Sequence, residues 1–193
     1  ECSFKIGKGW ELSVMSKKVL VISTSLRKNS NSEALADAFA EGAMAAGHQV
    51  EKLSLRGKEI GFCKGCLRCQ STGRCGIRDD VAEIIEKMGR ADVIAFATPI
   101  YYYEMSGQMK TLLDRSNTLF DKDYDFRDIY LLTAAAEVED DVPEGAAHGL
   151  KGWIACFEKA NFAGQVFAGG VTDPGEIRGH SGLDSARSMG KNI

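Results

Sequence analysis

The chain has 193 residues, of which 44% are hydrophobic and 26% charged, and its formal net charge is −3. This length and composition are typical of a single globular domain, and the small negative charge predicts no general affinity for nucleic acid. No apolar run reaches the roughly 18 residues that a membrane-spanning helix needs, so we predict no membrane partner.

The first 14 residues fit none of the patterns that follow them. A natural-looking start stands at Met15, and a lysine pair and an apolar run come directly after it. We therefore interpret residues 1–14 as an N-terminal extension of the kind that an expression vector adds. Residues 15–193 are predicted to form one domain.

Beyond the extension, strand-like and helix-like segments alternate. The first apolar run, KVLVIS, is continuous, as in a strand that is covered on both faces. The predicted strands are 18–23, 49–55, 92–97, 128–133 and 165–170, and the predicted helices are 32–46, 80–90, 106–118, 143–161 and 181–191. Strict alternation predicts an α/β three-layer sandwich with a five-stranded parallel sheet in the order 2-1-3-4-5. A ligand crevice is expected beside the carboxyl ends of strands one and three.

The connection 56–78, between the second strand and the second helix, is long for such a unit and carries a run of cysteines. Successive gaps of two, two and five residues bring four thiols together within one loop, as in the short cysteine runs that hold iron–sulfur clusters. A zinc ribbon would separate two such pairs by about 15–20 residues, which is not the spacing here. The predicted metal ligands are Cys63, Cys66, Cys69 and Cys75.

Three interpretations of this loop stay open. The spacing favours a [4Fe–4S] cluster, and the alternatives are a zinc site or a metal-free loop of thiols or a redox disulfide. Basic residues interleave the cysteines, which suits an anionic cluster but equally suits the phosphates of a nicotinamide cofactor.

The remaining cysteine and histidine residues predict less. Cys156 lies in an apolar helical stretch, where we expect a buried and inert thiol. Clustered cysteines without a secretion signal indicate a reducing, cytoplasmic location. His48, His148 and His180 are expected at turns or on the surface rather than as ligands.

Polar residues fill the segment 23–32, STSLRKNSNS, which follows the first strand and leads into a helix. Hydroxyls, amides and backbone N–H groups at a helix N-terminus form an anion site, and Arg27 adds a bidentate partner. The alternative is an ordinary polar turn with a serine N-cap. Neither a dinucleotide fingerprint nor a nucleotide triphosphate loop is present. At the end of strand one in this fold, we expect the segment to bind a phosphate monoester.

Three segments of the chain resemble one known family. SxSLRKNSNS is similar to the phosphate loop GSPRxxGNS/T of the NADPH-dependent FMN reductase branch of flavodoxin-like proteins. ATPIYYYEMSGQMKTLLDRS (97–116) resembles that branch's second flavin loop and helix, and 169–193 resembles its C-terminal strand, turn and helix. Within the branch, the cysteine run followed by Asp79 and Asp80 is similar to the motif of iron–sulfur flavoproteins. The resemblance covers essentially residues 17–193.

The resemblance implies FMN as a cofactor, with specific residues around it. The phosphate would be held by residues of the first loop, the isoalloxazine edge would be lined by the second loop, and its pyrimidine end would lie near the residues after strand four. These residues are Ser25, Arg27, Asn29, Asn31, Ser32, Pro99, Ile100, Tyr101, Tyr102, Ala134, Ala135 and Ala136.

The resemblance also implies a function. We expect an FMN oxidoreductase that relays electrons between reduced nicotinamide, NAD(P)H, or ferredoxin and a small acceptor such as a quinone. The alternatives are a cluster-free NAD(P)H:FMN or quinone reductase and a non-enzymatic carrier like flavodoxin. No protein acid, base or nucleophile is needed, and none is predicted. A homodimer or homotetramer is implied as well.

Overall fold

A computed structural model describes residues 15–120 and 122–193, so the predicted extension 1–14 lies outside the described residues. The strands are β1 (Lys18–Ser23), β2 (Gln49–Ser54), β3 (Val93–Tyr101), β4 (Glu104–Met105), β5 (Asp128–Ala134) and β6 (Asn161–Ala168). Five of them form a parallel sheet in the order β2-β1-β3-β5-β6, and β4 pairs antiparallel with the end of β3. The predicted fold class and order of parallel strands are therefore confirmed. The sequence did not predict β4, since two residues carry no periodicity.

Helices cover both faces of the sheet. They are α1 (Asn31–Ala45), α2 (Arg68–Thr72), α3 (Val81–Arg90), α4 (Gly107–Arg115), α5 (Glu144–Ile154) and α6 (Ser181–Lys191), with a 3-10 turn at Ser116–Leu119. Side chains alternate along a strand. Leu20 and Ile22 of β1 accordingly pack in a core with α3, α4 and α5, whereas Val19 and Val21 pack in a second core with α1 and α6. None of the helices within the described ranges is long and apolar enough to cross a membrane.

The C-terminal third departs from the predicted boundaries. The helix predicted over 143–161 ends at Ile154, and a turn follows in which the N–H of Phe157 donates to the carbonyl of Ile154. Phe157 still packs in the core, so its apolar side chain gave no sign that the helix had ended. Cys156 lies in that turn and is exposed, which corrects the prediction of a buried thiol.

The last strand begins earlier than its apolar run indicates. β6 starts at Asn161, four residues before the predicted start at 165, and lies at the edge of the sheet. An edge strand needs less apolar surface than a central one, because one of its sides faces no neighbouring strand. A register shift between Ile129 and Tyr130 of the neighbouring β5 also interrupts the pairing there. The apolar run therefore marked only the better buried half of the strand.

Glycines let α1 and α6 approach closely. A Cβ atom added at Gly190 of α6 would lie 2.0 Å from the carbonyl oxygen of Phe39, and one added at Gly42 of α1 would lie 2.0 Å from that of Arg187. Both contacts are with backbone, which cannot rotate away as a side chain can. The separation of the two helices is therefore set by the absence of side chains at these positions.

We expect Gly190→Ala to destabilise the fold by about 2–3 kcal/mol, because the added methyl group forces the two helices apart. Urea unfolding followed by circular dichroism measures this change. Gly152→Ala is the matched control, since this helical glycine has no atom within 4 Å of an added Cβ. Alanine is a better helix former than glycine, so the control is expected to stabilise by roughly 0.5–1 kcal/mol. Equal effects of the two substitutions would contradict this account of the α1–α6 contact.

Candidate functional site

A cavity of about 370 Å³ lies at the carboxyl ends of the parallel strands. Its walls are supplied by four separate segments, 25–32, 99–103, 134–137 and 171–172, which lie at or just beyond the carboxyl ends of β1, β3, β5 and β6. This is the edge at which α/β sheets of this order bind ligands, and the volume lies within the range of small-molecule sites. The strand order thus creates the cavity, and the loops give it its chemistry.

The structure gathers eleven of the twelve predicted cofactor residues in the lining of this cavity. Asn29 is the exception; it is exposed, and its φ of 56° is left-handed, a conformation that asparagine adopts more readily than most residues. Glu137, which continues the segment expected near the pyrimidine end of the ring, lines the cavity as well. Four further lining residues were not predicted: Ser30, Tyr103, Val171 and Thr172. Ser30 and Tyr103 directly adjoin predicted residues, so a wider margin around each motif would have included them.

The N-terminus of α1 forms one end of the cavity. Ser30 is its N-cap, and the side-chain oxygen accepts a hydrogen bond of 3.1 Å from the backbone N–H of Glu33. Ser25 and Ser32 line the same end and are almost completely buried. Backbone N–H groups and the helix dipole make such a helix start favourable for an anion.

Asn31 joins this loop to the C-terminal segment. Its side-chain amide donates to the carbonyl of Asp173 at 3.0 Å, and its oxygen accepts from the N–H groups of Gly175 and Ile177. Both ends of the side chain are therefore engaged within the protein. Asn31 holds the two walls of the cavity together, a role that its place in the phosphate loop does not reveal.

Arg27 also reaches the C-terminal segment. One guanidinium nitrogen, Nη1, donates to the carbonyl of Thr172 at 2.8 Å. A guanidinium carries five N–H donors, so this bond leaves others for an anion in the cavity. Glu176 stabilises the same segment by accepting from the N–H groups of Thr172 and Asp173, and these two bonds lower the pKa of its carboxyl group.

Three buried hydroxyl groups connect the elements below the cavity. The hydroxyl of Ser106, the N-cap of α4, lies 3.1 Å from those of Thr24 and Thr98. Thr24 also donates to the carbonyl of Ala97, and the N–H of Ser106 donates to Thr98. All three hydroxyl side chains are fully buried. The network fixes the starts of the two ligand loops to the start of α4.

Tyrosines surround the mouth of the cavity. Tyr102 is fully exposed, and Tyr101 and Tyr103 are about half exposed. Tyr102 and Tyr103 have φ values of 51° and 64°, as in the tight turns that usually carry Asn-Gly in a β-hairpin. The backbone of the turn packs directly against α5. The contact is so close that a Cβ atom added at Gly145 would lie 2.3 Å from the carbonyl oxygen of Tyr103. An aromatic ring is thus held in solvent beside the cavity by a strained turn.

All four cysteines of the loop line a second, smaller cavity of about 40 Å³. Cys63 and Cys66 are exposed, Cys69 and Cys75 are half-buried, and all four are free thiols. The side-chain amide of Asn117 donates to the sulfur of Cys69 at 3.2 Å. Hydrogen bonds of this kind stabilise a thiolate and, in metal sites, orient a sulfur ligand.

The cysteine side chains do not converge on the centre of a single ion. Within 15–120 and 122–193, no group of three or more His, Cys, Asp or Glu side chains is close enough to hold one metal ion. A tetrahedral zinc site needs four donors at about 2.0–2.3 Å from one point. An iron–sulfur cluster is several atoms wide, so its thiolates lie farther apart than the ligands of one ion.

A buried ion pair holds both ends of the cysteine loop. Nη1 and Nη2 of Arg115, at the end of α4, donate to the two carboxylate oxygens of Asp79 at 2.6 and 2.9 Å. The arginine also donates to the carbonyl of Gly61 at 2.6 Å, and the N–H of Gly61 donates to Asp79 at 2.8 Å. The two side chains are 1% and 7% exposed. Residues 61 and 79 are thereby clamped together, and the cysteines lie in the segment between them.

The surroundings favour the charged form of Asp79 despite its burial. Removal from water raises the pKa of Asp79, but hydrogen bonds from Arg115 and two backbone N–H groups outweigh that effect, so the pKa lies below its ordinary value. The pKa of Arg115 is raised, first by its hydrogen bond with Asp79 and also by the nearby sulfur of Cys75. Arg115 therefore belongs to the clamp and also lies beside one of the cysteines.

The sequence profile of the NADPH-dependent FMN reductase family matches residues 17–179. The chain belongs to this family. The flavodoxin-like order of its strands and the position of its cavity at the carboxyl edge of the sheet agree with this membership.

Two relatives match the chain over different lengths. The chain is 40% identical over 102 residues to an iron–sulfur flavoprotein of Methanocaldococcus jannaschii, an alignment that covers 53% of each protein. It is 31% identical over 180 residues to a Bacillus subtilis protein named as an NAD(P)H-dependent FMN-containing oxidoreductase, covering 89% of this chain and 96% of that one. The chain spans about half the length of the iron–sulfur flavoproteins that it matches.

Solved structures show the same fold. An NAD(P)H:quinone oxidoreductase from Methanothermobacter marburgensis superposes with a TM-score of 0.73 and 26% identity, covering 92% of this chain and 96% of that one. An azoreductase from Bacillus anthracis superposes with a TM-score of 0.68 at 18% identity, covering 92% of this chain and 100% of that one. The FMN reductase family fold therefore extends over nearly the whole of the chain.

Removing one partner of the buried pair should cost much more than removing one partner of an exposed pair. Arg115→Ala or Asp79→Asn is expected to destabilise by about 3–5 kcal/mol, because each leaves a buried charge without its partner. The cysteine loop should also become sensitive to limited proteolysis. Thermal or urea unfolding and peptide mapping measure the two effects.

The exposed pair Arg187–Glu41, with a distance of 3.0 Å, provides the matched control. Glu41→Gln is expected to change stability by less than about 1 kcal/mol and to leave the cysteine loop resistant to protease. The clamp would be refuted by an Asp79→Asn variant whose stability and loop cleavage resemble those of Glu41→Gln.

Proposed function

We propose that this chain is an FMN-dependent NAD(P)H oxidoreductase that reduces a small acceptor of the quinone class, with a [4Fe–4S] cluster on the cysteine loop. The observation that carries the proposal is the cavity at the carboxyl edge of the sheet, in which loops after β1, β3 and β5 meet. Its lining has an anion-favouring end at α1 and an aromatic end at the tyrosines. That is the arrangement expected for a ligand with a phosphate tail and a flat ring.

The described residues fit FMN on physical grounds. Ser25 and Ser32 at the start of α1, with the free donors of Arg27, would hold the phosphate. Pro99 and Ile100 would lie along the ring, with 134–136 at its pyrimidine end. When bound, FMN supplies hydride acceptance from a nicotinamide and electron release in one or two steps.

The protein's own part is binding, orientation and exclusion of water. None of the twelve proposed cofactor residues has to act as an acid, base or nucleophile. Glu137, which also lines the cavity, is exposed and is its one acidic lining residue among the described residues. Such a charge disfavours added negative charge on a bound ring, and we infer that it helps to keep the flavin potential low.

The cluster is proposed on three grounds. The spacing of Cys63, Cys66, Cys69 and Cys75 suits a cluster, all four line one cavity, and several relatives are named iron–sulfur flavoproteins. The hydrogen bond from Asn117 to the sulfur of Cys69 adds a donor of the kind that tunes cluster potentials.

A second candidate function is a quinone reductase without a cluster. It is favoured by the relative from Bacillus subtilis and by the quinone oxidoreductase structure, each of which matches about nine-tenths of this chain. The metal content of the cysteine loop separates it from the first proposal. A flavodoxin-like carrier is the third, and NAD(P)H oxidation by the isolated protein separates an enzyme from a carrier.

The electron donor, the acceptor and the oligomeric state are also proposals. Reduced nicotinamide is the proposed donor, with ferredoxin as the alternative, and a quinone is the proposed acceptor. We also infer a homodimer or homotetramer, in which a second copy would cover the exposed rings of Tyr101, Tyr102 and Tyr103. We infer a cytoplasmic location only because the loop needs cysteines that are not oxidised to disulfides, and a reducing compartment keeps them so.

Arg27→Ala is expected to weaken FMN binding by about tenfold to a hundredfold, because a charge-assisted bond to phosphate is lost. Riboflavin, which lacks the phosphate, should bind the variant and the unaltered protein equally. Quenching of flavin fluorescence measures both affinities. The FMN-loaded protein is expected to oxidise NADH or NADPH when a quinone is supplied.

Lys28→Ala is the matched control, since this exposed neighbour of Arg27 does not line the cavity and its loss should leave FMN affinity unchanged. Equal loss of riboflavin and FMN affinity in Arg27→Ala would show that the variant damages the cavity and not a phosphate contact. Failure of the unaltered protein to bind FMN would refute the proposed function.

Anaerobically purified protein is expected to contain about four iron and four sulfide per chain. Cys69→Ser should lose most of both, whereas Cys156→Ser should retain them, since Cys156 lies in a turn remote in sequence from the loop. Colorimetric iron and sulfide analysis with a visible spectrum gives the measurement. One zinc per chain without sulfide, or no metal at all, would reject the cluster.

A further inference from the structure

A second large cavity lies outside the proposed flavin site. It has a volume of about 850 Å³ and is enclosed by residues 73–79 of the cysteine loop, α3, the 3-10 turn and residues 122–125. This volume lies within the range of sites that bury a small organic ligand. Cys75 and Arg115 line both this cavity and the small cysteine cavity. A ligand here would therefore lie directly against the cysteine loop.

One wall of the cavity is apolar. Val81 and Ile85 of α3, Leu119 of the 3-10 turn and Ile77 of the loop all contribute to the lining. Three of the four are buried among core residues and form a rigid floor, whereas Ile77 is half-buried. The apolar surface that is open to a flat ring comes mainly from Ile77 and from the exposed Ala82 of α3.

The end of the cavity beside Cys75 is cationic. Arg74 and Arg78 line it, and within the described part of the chain neither guanidinium has a hydrogen bond or an ion pair. Lys122 lies at the same end, where its ammonium group donates to the carbonyl of Gly73 at 2.5 Å. Three cations therefore border this end, and two of them have donors to spare.

Two of the four acidic groups of the lining are already paired. Glu86 pairs with Arg90 at 2.6 Å, and the Asp79 carboxylate is taken up by the buried clamp. Asp123 directly follows Lys122 and is exposed, and the N–H of Asp125 donates to the carbonyl of Gly89. Neither of the two pairs neutralises the charge of Arg74 or Arg78.

We propose that this cavity is a second ligand site, which binds an aromatic anion with its ring on the apolar wall and its anionic group at Arg74 and Arg78. Arginine forms bidentate bonds with carboxylate, sulfonate and phosphate groups, and the apolar wall buries the ring. The identification of this ligand as the small electron acceptor rests on the proposed function. The binding itself does not.

The test uses naphthalene-1-sulfonate, which is aromatic and anionic but is neither oxidised nor reduced by a flavin. Isothermal titration of the FMN-loaded protein is expected to show saturable binding of one probe per chain. The double variant Arg74→Ala, Arg78→Ala should lower the affinity about tenfold or more, because two charge-assisted contacts are lost. Naphthalene-1-methanol, the uncharged analogue, should bind both proteins equally.

Ala82 offers a matched pair of variants on the wall of the cavity. This residue is exposed on α3 and lines the cavity, so a larger side chain there need not disturb the core. Ala82→Glu should weaken binding of the sulfonate several-fold more than the isosteric Ala82→Gln, because only the first adds a repelling charge. Lys191→Ala removes an exposed cation from α6, on the other face of the sheet, and should change nothing.

Several results would overturn the assignment. They are the absence of saturable binding, an affinity that the double arginine variant leaves unchanged, and equal effects of Ala82→Glu and Ala82→Gln. Displacement of the probe by excess FMN would place it in the flavin cavity. Displacement of the probe by NADP⁺ would show that the cavity binds the nicotinamide cofactor, and would exclude a separate acceptor site. Because the probe exchanges no electrons, a chain without oxidoreductase activity would leave a positive binding result intact.

Discussion

The ion pair between Arg115 and Asp79 is the constraint on which the arrangement of the cysteine loop depends. A loop of this length closes only if something outweighs its chain entropy, and here one buried guanidinium binds both of its ends. The pair also fixes the cysteines relative to α4. The N-terminus of that helix, at Ser106, belongs to the hydroxyl network under the cavity at the sheet edge. One helix of nine residues, about 13 Å long, therefore joins the two sites rigidly.

The cavity at the sheet edge follows from topology more than from any single residue. Parallel strands place the loops after β1, β3 and β5 side by side, and the order in which strands are added to the sheet reverses between β1 and β3, which opens a crevice. The C-terminal segment then closes one side through Asn31 and Arg27. Binding groups thus come from regions that are more than a hundred residues apart in sequence. The matched family profile, residues 17–179, spans all of these segments.

The fold class and the order of the parallel strands were predictable because each central strand is a continuous apolar run, and such runs are easily recognised in the sequence. Prediction failed where burial is partial, as at the start of β6, and where a core side chain follows the end of a helix, as at Phe157. Motifs brought eleven of the twelve residues proposed for the cofactor to the lining of one cavity, because each motif directly follows or ends a buried strand. Contacts between distant residues were invisible: nothing in the sequence pairs Arg115 with Asp79, and nothing indicates that Asn31 binds residues 173–177.

The hairpin that joins β3 to β4 has a consequence for how this surface can evolve. Left-handed backbone costs a residue with a side chain about 1–2 kcal/mol, so Tyr102 and Tyr103 are poor choices for a turn that only reverses direction. Asparagine and glycine would relieve that strain at once. Selection for thermostability alone should therefore replace these tyrosines early, and their retention among natural variants would measure how strongly the aromatic rings themselves are selected.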